Sequence, residues 1–158
     1  TIQLYSLNNF KDCSNFTHLS EVKISHCPQL INTSGLENIP YLHLEFCSRL
    51  ADISKLGNHE ELILRSCSQV FDLRSLAKVR QRLELKSLPS ITSIVGLEKI
   101  PTLEIWDCKQ LRIPPQHMIN SIFKHRSLKL VYCYPDLLLS MPKVSPPLHS
   151  LLQSVLIV

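Results

Sequence analysis

The chain has 158 residues, 44% of them hydrophobic and 19% charged, with a formal net charge of +4. That is the balance of a soluble globular fold long enough for one domain with a real core. No apolar run reaches the eighteen or so residues of a membrane span, and no basic, apolar leader opens the chain. Residue 1 is Thr and falls just before a run of alternating apolar residues, so a window cut from a longer chain is expected.

Taken in order, the chain repeats itself. Ile2 opens IQLYSLNNFKDCSNFTHLSE, Val22 opens VKISHCPQLINTSGLENIPY, Leu42 opens LHLEFCSRLADISKLGNHEE and Leu62 opens LILRSCSQVFDLRSLAKVRQ. After one extra residue near Gln81, Leu83 opens LELKSLPSITSIVGLEKIPT, so the period is twenty, once twenty-one. The segments Gly35 to Pro40 (GLENIP) and Gly96 to Pro101 (GLEKIP) lie 61 residues apart and confirm the phase. Self-similarity at a fixed period marks a solenoid, because a unit that cannot bury its apolar residues alone must stack on its neighbours.

Within a unit, apolar residues at positions 1 and 3 (Val22/Ile24, Leu42/Leu44, Leu62/Leu64, Leu83/Leu85, Leu103/Ile105, Leu128/Leu130) alternate with mostly polar ones and predict a short strand. Later apolar residues come every third position, at 6 (Cys27, Cys47, Cys67, Leu88), 9, 12 and 15 (Leu36, Leu56, Leu76, Leu97). That spacing predicts tight inward-pointing corners, partly 3₁₀, rather than full helices. Position 11 carries Asp12, Asn32, Asp52, Asp72 and Ser93, whose short polar side chains favour turns.

These residues resemble the leucine-rich repeat family, whose pattern L-x-x-L-x-L-x-x-N/C-x-L is met by Ile39-Pro-Tyr-Leu42-His-Leu44-Glu-Phe-Cys47. Two residues rather than one separate the Cys from the next Leu, which is more similar to the cysteine-containing variant shortened to about twenty residues. The resemblance covers roughly residues 2 to 135. It implies an α/β solenoid: a curved horseshoe with short parallel strands on the concave face, a mostly 3₁₀ or irregular convex side, and binding of proteins. A single leucine-rich repeat domain is expected over 1–158, with regular repeats over 2–102 and longer, irregular repeats with a candidate C-terminal cap over 103–158.

In that last region Pro114-Pro115 is followed by QHMINSIFKHR, which places Met118, Ile119, Ile122 and Phe123 on one side of a convex helix. Residues 148–158 fit either another strand around Val155 to Ile157 or a capping helix with Leu148, Leu151, Leu152, Val155 and Leu156 on its apolar face.

Five of the six cysteines (Cys27, Cys47, Cys67, Cys108, Cys133) occupy position 6, where Leu7 and Leu88 stand in the other units. A position that alternates Cys with Leu holds a buried hydrophobe, so free structural thiols and a reducing, intracellular compartment are expected. No Cys-x-x-Cys or His-x₃-His spacing supports a metal site, and adjacent strand residues such as His26 and Cys27 point to opposite faces and cannot meet. The sequons Asn15-Phe-Thr17 and Asn32-Thr-Ser34 are discounted as chance matches without a leader. Three glycines make no phosphate loop, and Glu45, Glu84 and Glu104 read as a solvated strand face. No cofactor and no enzyme signature are indicated.

Charge is uneven, with a basic concentration of Arg65, Arg74, Lys78, Arg80, Arg82 and Lys86. It reads as solvated surface or as the footprint of an acidic partner or nucleic acid. The outward residues of stacked strands make one continuous surface, which repeat proteins use for binding. Aromatics and Arg dominate binding energy, so the expected contact residues are Tyr41, His43, Phe46, Arg65, Lys86, Trp106, Asp107 and Tyr132. Recognition of another protein is the expected function, with permanent docking in a large assembly as the alternative.

Overall fold

The computed structural model describes residues 1–11, 13–112, 127–131 and 133. Among these residues seven short parallel strands follow one another: β1 Ile2–Tyr5, β2 Glu21–Ser25, β3 Tyr41–Glu45, β4 Glu61–Arg65, β5 Arg82–Lys86, β6 Thr102–Trp106 and β7 Ser127–Val131. They form one sheet in chain order, each pairing only with the strand before and after it. The molecule is a parallel-strand β-solenoid of about five turns with almost no helix.

The register places equivalent positions side by side: Val22, Leu42, Leu62, Leu83 and Leu103 form one ladder and Ile24, Leu44, Leu64, Leu85 and Ile105 the next. All ten are at most 2% exposed. The extra residue near Gln81 leaves the ladder unshifted, because Glu61 pairs Arg82 as Tyr41 pairs Glu61. It is taken up before the strand, where the Gln81 and Arg82 N–H groups both donate to the Glu60 carbonyl.

The three-residue spacing has a local cause. The N–H of position 9 donates to the carbonyl of position 6 (Leu30 to Cys27, Leu50 to Cys47, Val70 to Cys67), and that of position 15 to position 12 (Leu36 to Thr33, Leu56 to Ile53, Leu76 to Leu73, Leu97 to Ile94). An i to i+3 bond folds the chain back each time, so every third side chain points inward. Two corners lengthen into 3₁₀ helices, Ser14–Phe16 and Arg74–Lys78. Position 11 turns as expected: Asn32, Asp52, Asp72 and Ser93 each accept the N–H two residues on. Asp12 and the two C-terminal segments read as helix or strand lie outside the described residues.

A further apolar column, unread in the sequence, occupies position 18: Ile39, Val79 and Ile100, interrupted by a fully buried histidine, His59. Cys13 belongs to the position 12 column and is buried with it. All six cysteines are buried, and none is in a disulfide. Those at position 6 share a contact: Cys27, Cys47, Cys67 and Cys108 donate their S–H to the carbonyl two residues back at 3.6, 3.6, 3.4 and 3.3 Å. Burial pushes the Cys27 thiol up from its ordinary value. A contact with Cys67, and then burial, does the same to Cys47. Such thiols are poor nucleophiles.

Candidate functional site

The outward side of the sheet is built from the rows between the buried ladders. The row before position 1 reads Glu21, Tyr41, Glu61, Arg82, Thr102 across β2 to β6, position 2 reads Lys23, His43, Ile63, Glu84, Glu104, and position 4 reads Ser25, Glu45, Arg65, Lys86, Trp106. Neighbouring strands stand about 4.8 Å apart, so long side chains come within reach of the equivalent ones in the next coil.

Position 5 is a correction to the strand reading. The strands end at position 4, and the next residues, Ser6, His26, Phe46, Ser66, Ser87 and Asp107, all take positive φ between 50 and 56°. The left-handed bend swings the chain under the sheet so that position 6 enters the core. Nothing in the residue types announces it, since the column holds no glycine, and Phe in this region carries strain. The bend is anchored by the bent residue's own N–H, which donates to the position 4 carbonyl of the next coil (Ser6 to Ser25, His26 to Glu45, Phe46 to Arg65, Ser66 to Lys86, Ser87 to Trp106).

Two regions divide the face. Over β4 to β6 the charges satisfy one another. Arg65 Nε and NH2 lie 2.7 and 2.6 Å from Glu84 Oε1, Arg82 NH2 lies 2.7 Å from Glu84 Oε2 and 3.1 Å from Glu104, and Arg82 NH1 lies 3.8 Å from Glu61. Glu84 is 4% exposed, which corrects the reading of this carboxylate as solvated. Burial alone would raise its carboxyl, but the hydrogen bond and charge of Arg65, with Arg82, hold it below its ordinary value. The basic concentration is therefore largely neutralised within the coils, since Arg74 pairs with Asp72 at 2.6 Å and Arg80 with Glu60 at 2.9 Å.

Over β1 to β3 the face is aromatic and open. Tyr5, Tyr41 and Phe46 are 56, 45 and 44% exposed. The Phe46 ring packs on His26 with centroids 4.4 Å apart, and Ser25 Oγ shares a 2.7 Å hydrogen bond with His26 Nδ1. Beside Tyr41 a cleft of about 230 Å³ opens between β2 and β4, lined by Glu21, Lys23, Tyr41, His43, Glu61, Ile63 and Arg65 above Val22 and Leu42. Lys23 is held by Glu21 at 2.9 Å. His43 Nε2 is buried without a hydrogen-bond partner, 3.7 Å from Glu45. Burial first and Arg65 second lower its pKa, so the ring is neutral at pH 7.

Of the expected contact residues, Tyr41, His43 and Arg65 meet at this cleft, and Phe46 stands beyond the end of β3. Lys86 and Trp106 are paired neighbours at the other end of the face, Lys86 exposed and Trp106 half-buried. Asp107 accepts the Ser87 hydroxyl at 3.1 Å and lies 3.5 Å from Lys109; Tyr132 lies outside the described residues. Sequence reasoning passed over Glu21 and Glu61, although the period alone sets them on either side of Tyr41.

Among the described residues, no group of three or more His, Cys, Asp or Glu side chains is placed to hold a metal ion, and no helix is long and apolar enough to cross a membrane. No family model, no curated protein and no solved structure matches the chain.

Proposed function

We propose that this solenoid is a leucine-rich repeat module that recognises another protein through its sheet face, with a binding rather than a catalytic role. The repeat Ile39 to Cys47 supports the family. The observation that carries the function is the exposed aromatic group Tyr5, Tyr41 and Phe46, the last kept on the surface in a strained left-handed backbone. The buried thiols support a reducing compartment for the chain.

A photo-cross-linking residue placed at Tyr41 or Trp106 is expected to trap one discrete partner from the native source, and the same residue at Phe71, exposed on a coil corner outside the strands, is not. Against that partner Trp106→Ala should weaken binding by about 2 kcal/mol with folding intact. Adducts from Phe71 alone would overturn the proposal.

A second reading, permanent docking in an assembly, is favoured by Phe71 (65% exposed), Val95 (51%) and Ile31 (45%) on the coil corners. It predicts self-association of the isolated chain through these groups. Binding of an acidic partner or nucleic acid is opposed by the pairing of Arg65, Arg74, Arg80 and Arg82, and would show as steep loss of affinity with salt.

A further inference from the structure

The cleft beside Tyr41 has a chemistry that narrows the partner. Its cations are already committed, Lys23 to Glu21 at 2.9 Å and Arg65 to Glu84 at 2.6 Å. What it leaves over is acceptors. The nearest cation to Glu61 is Arg82 at 3.8 Å, and that guanidinium is bonded more closely to Glu84 and Glu104. Glu45 lies 3.7 Å from His43 Nε2, a nitrogen buried without a hydrogen-bond partner, and is the register partner of Arg65. Two carboxylates, Glu21 and Glu61, and two cations, Lys23 and Arg65, line the cleft, and both cations are drawn into ion pairs, while Lys86 stands at the far margin beside Trp106.

The register sets Glu21, Tyr41 and Glu61 in one row, so a ring 45% exposed stands between two carboxylates. Glu21 already holds Lys23 at 2.9 Å and the Thr1 hydroxyl at 3.0 Å, so Glu61 is the less committed of the two; an aromatic ring beside such a carboxylate attracts a cation twice, through the ring quadrupole and through charge. With about 230 Å³, below the range of small-molecule pockets, the cleft has room for one long side chain.

Building on the recognition reading above, we propose that this cleft receives a basic side chain, arginine or lysine, of the protein partner, seated on Tyr41 between Glu21 and Glu61. The floor contributes a neutral imidazole at His43 rather than a further cation. An anion gains nothing here that Glu84 and Glu21 have not already taken.

The test uses the intact chain and single residues as probes. Nα-acetyl-arginine amide is titrated while the ring resonances of Tyr41 and His43 are followed by NMR, with the citrulline and glutamate amides as neutral and anionic counterparts. Arginine amide should shift both rings saturably, and citrulline amide, nearly isosteric but uncharged, should bind about fivefold more weakly, the equivalent of about 1 kcal/mol of cation–π and charge attraction. Glu61→Gln should weaken arginine binding by a similar factor, Tyr41→Phe should preserve it, and Tyr41→Ala should remove the saturable shift. The Phe and Ala pair at an exposed site decides the matter should the Gln variant fold poorly. Equal binding of arginine and citrulline amides, preference for glutamate amide, or indifference to Tyr41→Ala would overturn the assignment. The recognition reading fails separately: cross-links from Tyr41 and Trp106 with no arginine binding would remove only the cleft assignment, and arginine binding without cross-links would remove only the recognition reading.

Discussion

Gly35 and Gly96 provide a matched pair for measuring how tightly the coils pack. Both occupy position 14, both have positive φ (92 and 98°), and each donates its N–H to the Glu two residues on, at 2.7 and 3.0 Å. An alanine at either pays for the same backbone conformation, about 1–2 kcal/mol. They differ in what the new methyl group meets. At Gly35 it would stand 2.1 Å from the Cys13 carbonyl oxygen and 2.6 Å from Ser14 Cα, backbone atoms of the preceding coil that cannot step aside; at Gly96 nothing lies within 4 Å. Separating two coils adds about 1–3 kcal/mol of overpacking. Gly35→Ala should therefore destabilise by about 2–5 kcal/mol and Gly96→Ala by about 1–2, read as the shift in urea midpoint at unchanged slope. A Gly35→Ala chain no less stable than Gly96→Ala would refute the close approach of the first two coils.

Ser66→Val should lose about 2 kcal/mol, because a β-branched residue at φ 51° is strained, whereas Ser66→Asn should stay within about 0.5 kcal/mol; comparable urea midpoints for the two would deny the left-handed bend. Glu84→Gln should destabilise by about 2 kcal/mol, less than a fully buried pair because Arg65 and Arg82 remain about 30% exposed. Because the folded carboxyl of Glu84 is held below its ordinary 4.5, its contribution is present above that pH and lost as pH falls through the folded value, so the Gln variant should show a shallower acid-side decline in melting temperature. Burial likewise lowers the pKa of His59, whose ring bonds the Ile39 carbonyl; its neutral form stabilises the fold above the ordinary 6.5, and stability should fall as pH drops below that value. His59→Leu should flatten melting temperature against pH between about 6.5 and 5, and an unchanged slope would place the proton elsewhere.

The coil was legible because one constraint, apolar residues at a constant interval, dictates strand, corner and core together. Leu44, Leu64 and Leu85 lie side by side, and the corners turn at Asn32, Asp52 and Asp72 as their side chains require. The left-handed column was invisible because Ser, His, Phe and Asp all occupy it, and the backbone path selects φ there rather than the side chain. Position 18 was obscured by His59, a polar residue in an apolar column. On the outward face, residue types identify candidates but not commitments. Arg65 and Glu84 look equally free in the sequence, and only their 2.6 Å approach shows that each is committed to the other.

Among the described residues each interior strand is bonded to its two neighbours in chain order, and β1 and β7 to one, which gives the molecule a mechanical character. Tension applied along the described stack loads an outermost ladder first and leaves the interior slack, so these coils unspool by peeling, one loop of about twenty residues after another, rather than rupturing at once. A tether built this way lengthens in even steps and rewinds from whatever coil remains.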